Sequence, residues 1–184
     1  MGVSRSEMLQ DQKMNNREIL IAQETIQSRV YELAQEISSD YADEEPIMIG
    51  ILNGVVFFFV DLVKALTIPI TIDFIRASSY GSGTISKGTI TYSKDVEIDV
   101  KDKHVIIVED IVDTGLTLNQ IIKRVEKKGP KSIRICALID KGERRSEEVA
   151  LDYSGFQVEK GFLVGYGLDH DERYRYLPDI FVLK

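Results

Sequence analysis

Lys103-His104-Val105-Ile106-Ile107-Val108-Glu109-Asp110-Ile111-Val112-Asp113-Thr114-Gly115-Leu116-Thr117 decides how this chain folds. Val105 to Val108 is a β-branched run suited to a strand covered on both faces, as in a parallel sheet. Two carboxylates, Glu109 and Asp110, end it. Asp113 to Thr117 then offers backbone amides, two hydroxyls and a permissive glycine, just ahead of Leu118, Ile121, Ile122 and Val125 at helical spacing. The order is strand, acidic edge, anion cradle, helix N-terminus.

Upstream, Glu18 to Ile21 suits a short strand, and Ile26, Val30, Leu33, Ala34 and Ile37 recur with the period of an amphipathic helix. Pro46 closes a turn over Asp43 to Glu45. Ile47 to Leu52 reads as a core strand, and Asn53-Gly54 turns it into a helix over Val55 to Leu66. Within that helix Phe57-Phe58-Phe59 suits core or a subunit interface. Ile70 to Ile75 gives the second strand. Ser78 to Lys103 is polar and glycine-rich at its start, while Val96, Ile98 and Val100 alternate like one arm of a hairpin; the segment reads as a lid.

Downstream, Gly129-Pro130 stops the helix, and Ile133 to Ile139 is the next strand, closed by Asp140-Lys141 and the polar turn Gly142 to Arg145. Asn53-Gly54 and Asp140-Lys141 both sit at strand carboxyl ends, where open α/β sheets bind ligands. Phe162 to Asp169 is apolar and punctuated by glycine, and a charged cluster follows from His170 to Arg175.

With 184 residues, 43% hydrophobic and 29% charged, the composition fits one soluble α/β domain. No segment reaches the roughly 18 apolar residues of a membrane span, and Met1 to Arg17 lacks the apolar core of a secretory signal, so a cytoplasmic location is expected. Cys136 stands alone in an apolar run, which leaves no disulfide framework. A net charge of -7 argues against broad binding to nucleic acid or anionic membranes.

Successive amides entering a helix form a nest of partial positive charge that suits a phosphate monoester. The spacing is neither Walker A nor the dinucleotide glycine fingerprint. Carboxylates repel phosphate, so Glu109 and Asp110 need another partner: a vicinal diol, with a divalent cation close by. Phosphate and diol together describe a ribose 5-phosphate. The plain alternative is an acidic strand end that is simply solvated.

Val108 to Thr117 resembles the phosphoribosyl pyrophosphate motif of the type I phosphoribosyltransferases, and the likeness extends from about Glu18 to the C-terminus. Gly50 to Gly54, Ser78 to Gly81, Leu138 to Lys141, Phe162 to Asp169 and Glu172 to Arg175 turn it toward the family's bacterial hypoxanthine-using branch. The resemblance implies an α/β fold with a mostly parallel central sheet flanked by helices. Residues 1–184 would form one domain, with a core at about 40–142, a small hood from about 15–22 and 155–184, and a mobile loop at about 79–102 carrying Ser79 and Tyr80.

It also implies transfer of a 5-phosphoribosyl group from phosphoribosyl pyrophosphate to N9 of a 6-oxopurine, hypoxanthine or guanine, with Mg2+. By position, Asp113 would be the general base, and Asp113, Thr114, Gly115, Leu116 and Thr117 would hold the 5-phosphate. Glu109 and Asp110 would hold the ribose hydroxyls. Asn53, Gly54 and Arg175 would take pyrophosphate, while Lys141, Phe162, Leu163 and Asp169 would take the purine. Asp169, with Glu109 and Asp110, would stand at the metal. A homodimer or homotetramer is implied, with no nucleic-acid or membrane partner. Where the family often has Leu-Lys-Gly, around a non-proline cis peptide, this chain has Leu52-Asn53-Gly54, which keeps the amides and loses the lysine charge. His170 replaces a common tyrosine and reads as peripheral.

Two rivals share parts of this pattern. A phosphoribosyl pyrophosphate-sensing regulator of DNA or RNA would keep the motif, but it need not keep Lys141, Asp169 and Arg175. A phosphotransfer signalling domain also places an acidic pair after a strand, but on its first strand.

Overall fold

The computed structural model describes residues 17–79 and 90–184. In chain order its elements are β1 (Arg17–Ile21), α1 (Gln23–Asp40), β2 (Ile47–Leu52), α2 (Val56–Ala65), β3 (Thr71–Ser79), β4 (Ile90–Lys94), β5 (His104–Val112), α3 (Leu116–Glu126), β6 (Ser132–Lys141), β7 (Tyr153–Val158), β8 (Phe162–Val164) and β9 (Ile180–Leu183).

Six strands form one sheet in the order β4-β3-β2-β5-β6-β7. All neighbours are parallel except the β3–β4 pair at one edge. The β-branched runs of β2 and β5 lie next to each other in its middle, and alternation along them divides the core. Met48, Ile106 and Val108 pack with α1 and α2 on one face. Ile47, Ile49, Ile51, Val105 and Ile107 pack with α3 on the other. Since consecutive helices leave β2 and β5 toward opposite faces, the strand order reverses between these two strands, and the crevice beyond their carboxyl ends is the expected ligand site. The fully buried isoleucines of this layer contribute roughly 1.5–3 kcal/mol each.

A second sheet of three antiparallel strands, β1-β9-β8, is built from the two ends of the described chain. It carries Phe162 and Leu163 on β8, in register with Leu183 and Val182 of β9. The hood therefore begins after β7; residues 155–158, expected in the hood, pair instead with β6 in the large sheet.

Four other boundaries move. β5 does not end at Glu109 and Asp110 but continues to Val112, because Ile111 and Val112 still pair with Ile139 and Asp140 of β6. β3 starts at Thr71 and extends to Ser79, so Ser79, expected on the loop, closes a strand whose backbone pairs with Ile90; Tyr80 lies outside the described residues. The hairpin arm is Ile90–Lys94, and Val96, Ile98 and Val100 form no strand. Helix α2 is one residue shorter at each end than its apolar run suggests.

Candidate active site

Glu109 and Asp110 are both buried at the carboxyl end of the central strand. A Glu109 carboxylate oxygen accepts the Asp110 amide at 3.2 Å, and Asp110 Oδ1 accepts the Ile111 amide at 2.9 Å. Burial, reinforced by the neighbouring carboxylate, holds Glu109 well above the usual glutamate range. Burial also raises Asp110, opposed by its hydrogen bonds to Glu109 and to backbone amides and by the Arg175 charge. Two acids held this way keep their protons more tightly than free carboxyls, and a cation or a hydrogen-bond donor beside them would favour the charged forms.

Asp110 in turn lies against the turn after β2. The Leu52–Asn53 peptide is cis, as the resemblance leads one to expect. A Cβ on Gly54 would sit 1.7 Å from Asp110 Oδ2, and one on Gly167 would sit 1.9 Å from the Gly54 carbonyl oxygen. Only glycines let the carboxylate, the turn and the C-terminal loop stack this closely.

The cradle follows β5. Gly115 has φ +82° and precedes α3, whose Asn119 amide donates to the Gly115 carbonyl at 2.9 Å. A side chain at 115 would also strike the Glu147 carbonyl, 2.5 Å from its Cβ. Glu109, Asp113, Thr114, Gly115 and Thr117 line a cavity of about 130 Å³. Leu116 contributes its place in the helix; its side chain is exposed. An adjoining cavity of about 190 Å³ is lined by Asp110, Asp113, Lys141, Phe162, Leu163 and Asp169. Ile111 and Asp113 border both.

In the second cavity Lys141 is buried, its Nζ 3.4 Å from Glu143 Oε2. Phe162 is half exposed and meets the exposed His170 edge-on, with ring centroids 5.2 Å apart; His170 lines neither cavity. Arg175 is held by the C-terminal loop: its guanidinium donates to the Gly167 carbonyl at 2.8 Å, to Glu172 at 3.0 Å, and pairs with Asp169 at 2.8 Å. Asp169 Oδ2 accepts the Glu172 amide at 2.9 Å. The carboxylates expected at a metal do not form one cage, for among the described residues no three His, Cys, Asp or Glu side chains converge as a metal site. One or two carboxylates still suit Mg2+, which usually keeps waters and substrate phosphate oxygens as its remaining ligands.

Three side chains at the site were not foreseen. Arg144 donates to Asp113 Oδ2 through Nε at 3.0 Å and a terminal nitrogen at 2.6 Å, while Asp113 Oδ1 is buried without a partner. Arg145 donates to the Asp113 and Val112 carbonyls, each at 2.9 Å, and pairs with Asp140. Ile111 borders both cavities. Two arginines just past a strand's carboxyl end are the only sequence signal for the first two, and their partners Asp113 and Val112 lie more than thirty residues away. A larger cavity, about 440 Å³, bounded by Phe57 and Glu172 to Tyr176, meets the site only through Arg175; it has none of the cradle's groups, so size does not locate the chemistry.

The phosphoribosyl transferase domain family matches residues 17–171. The hypoxanthine-guanine-xanthine phosphoribosyltransferase of Tritrichomonas foetus is 44% identical over 167 residues, covering 90% of this chain and 91% of that protein. The hypoxanthine-guanine phosphoribosyltransferase of Bacillus subtilis is 42% identical, covering 94% and 96%. The solved hypoxanthine-guanine phosphoribosyltransferase of Bacillus anthracis superposes with a TM-score of 0.86 at 41% identity, covering 91% of this chain and 98% of that one. The chain belongs to the phosphoribosyltransferase family, with the type I fold and the hypoxanthine-guanine enzymes among its relatives.

Proposed function

We propose that the protein moves the 5-phosphoribosyl group of phosphoribosyl pyrophosphate to N9 of a 6-oxopurine, forming a purine nucleoside monophosphate and pyrophosphate in purine salvage. The two adjoining cavities support this most strongly: a phosphate cradle and a purine-sized pocket meet at Asp113, with Glu109 lining the first and Asp110 the second.

Asp113 to Thr117 hold the 5-phosphate with amides and hydroxyls, and Glu109 and Asp110 accept from the ribose 2- and 3-hydroxyls. Lys141 donates to the 6-oxo oxygen; an ammonium has no acceptor, so a 6-amino group is poorly matched. Phe162 packs on the base and Leu163 reads its edge. As the C1–oxygen bond to pyrophosphate breaks, N9 closes on C1 and the purine N7 proton passes to Asp113. Mg2+ neutralises charge on the pyrophosphate oxygens when bound. Asn53, Gly54 and Arg175 stabilise that leaving group, and Asp169, Glu109 and Asp110 are the oxygen donors placed to hold the metal. Ser79 ends β3 where the loop expected to exclude water begins.

A homodimer or homotetramer and a cytoplasmic setting complete the reading. The exposed apolar face of α2, with Val56, Phe57 and Val60, supports the first; among the described residues no helix is long and apolar enough to cross a membrane. The matching relatives are named as transferases, which favours an enzyme over a regulator. The test is pyrophosphate release with phosphoribosyl pyrophosphate, Mg2+ and each of hypoxanthine, guanine, xanthine and adenine, with Asp113→Asn as a second arm. Turnover is expected with a 6-oxopurine and little with adenine, and the variant should lose about 10²–10⁴-fold in rate while still binding phosphoribosyl pyrophosphate. No turnover with any 6-oxopurine overturns the proposal.

A further inference from the structure

Gly142 to Arg145 belongs to no strand or helix and follows β6 directly. Arg145 fixes one end of this turn to the carbonyls of Val112 and Asp113. The tip itself is free of such packing: Gly142, Glu143 and Arg144 are exposed, and a Cβ at 142 would meet nothing within 4 Å. From that tip two side chains turn back onto the two groups assigned to read the purine. Glu143 Oε2 lies 3.4 Å from Lys141 Nζ, and Arg144 places two N–H donors on the same oxygen of Asp113, at 3.0 and 2.6 Å.

The polarity of both contacts is that of a 6-oxopurine. A Glu143 oxygen meets Lys141 as the 6-oxo oxygen would, and an Arg144 N–H meets Asp113 as N7–H would. We propose that Glu143 and Arg144 are placeholders for the purine, positioning residues that satisfy Lys141 and Asp113 in the empty site and are displaced when the base enters. This rests on the 6-oxopurine reading and deepens it.

The arrangement has a physical rationale. Lys141 is 6% exposed, and a buried ammonium without a partner is costly, so the tip satisfies it between turnovers. Arg144 is 67% exposed on its side chain and Glu143 45%, so both partners return easily to water. Because the tip's own side chains are solvated, each pair is weakened by water and should reduce base affinity by only about 1.4- to 5-fold. Because every base must displace the same two contacts, the cost is common to hypoxanthine and adenine. Selectivity between them stays with Lys141.

Steady-state kinetics of Glu143→Gln, Arg144→Gln, the double variant and Arg144→Lys test this. The expected result is a KM for hypoxanthine lowered by about 1.4- to 5-fold in each Gln variant and further in the double. The change should fall on KM for the base, leaving KM for phosphoribosyl pyrophosphate and the hypoxanthine-to-adenine ratio in place. Arg144→Lys, which keeps a cationic donor, should stay nearer the parent. An unchanged or raised base KM in both Gln variants overturns the inference while leaving the enzyme reading intact. A parent protein inert toward every 6-oxopurine fails at the earlier step and takes both down.

Discussion

Glu109 and Asp110 show what one pair of residues costs the fold. Both are buried side by side with raised proton affinity, burial being the main cause. An unfolded glutamate loses its proton near pH 4.3, whereas the folded pair holds on to higher pH. The folded state therefore binds more protons than the unfolded chain as pH rises past that point, and the pair subtracts from stability at neutral pH. Glu109→Gln removes one of the two acids. Calorimetric melts should show the variant more stable than its parent at pH 7–8, by on the order of 1–3 kcal/mol or roughly 2–10 °C, with the gap closing toward pH 4. Titration calorimetry should show weaker phosphoribosyl pyrophosphate binding in the same protein. A variant no more stable at pH 8 than at pH 4, relative to parent, refutes this account of the pair. The acidic pair was legible because carboxylates beside a phosphate cradle demand an explanation. Arg144 was not, since nothing local to the turn Gly142 to Arg145 says that its partner is Asp113, 31 residues earlier.

At the scale of elements, the β3–β4 edge explains why one expectation failed. Val96, Ile98 and Val100 alternate like a strand because Val96 and Val100 are buried in the core facing α3, with Ile98 packed beside them. Their backbone finds its partner elsewhere. Asp73 of β3 accepts from the amides of Glu97 at 2.7 Å and Ile98 at 3.2 Å, from Phe74 at 2.7 Å, and from Lys94 Nζ at 2.8 Å. Alternation records which side chains are buried, not what the amides bond to. A side-chain carboxylate can take the place of a β-ladder. Burial alone would raise the Asp73 pKa, but Lys94 and the three amides outweigh it and hold the carboxyl below the usual aspartate range. A depressed folded pKa means stability that is present above about pH 3.9 and lost as pH falls through the folded value. Asp73→Asn should thus cost about 1–3 kcal/mol in urea unfolding at pH 7, with the deficit shrinking below pH 3.5. A deficit that stays constant across that range assigns the loss to packing instead. Elements with a strong signal, the helical period of α1 and the continuous apolar run of β2, needed no such correction.

The whole molecule divides the proposed site between two sheets. The large sheet carries the cradle, the carboxylate pair and Lys141, while β8 of the small sheet carries Phe162 and Leu163. Short strands, a glycine-punctuated loop and pairing between opposite ends of the chain make the hood hard to delimit from sequence. Its glycines are explained only once Gly167 is seen against the Gly54 carbonyl. This division predicts that ribose phosphate binding and base binding can be separated by a mutation in the hood. Val182 lies on β9, the middle strand of the hood, in register with Glu18 on β1 and Leu163 on β8. Val182→Pro fixes φ and removes an amide from that ladder, while Ile180, the buried anchor of β9, stays in the main core. Phe162 and Leu163 then lose the strand that aligns them. Base stacking is worth about 1–3 kcal/mol, so KM for hypoxanthine should rise roughly tenfold or more. Affinity for ribose 5-phosphate, which the proposed cradle of β5 and α3 would hold, should change by less than about threefold, and a cooperative melt should persist. Parallel losses of both ligands would mean that the hood supports the cradle as well as the base, and the division of labour between the sheets would fall.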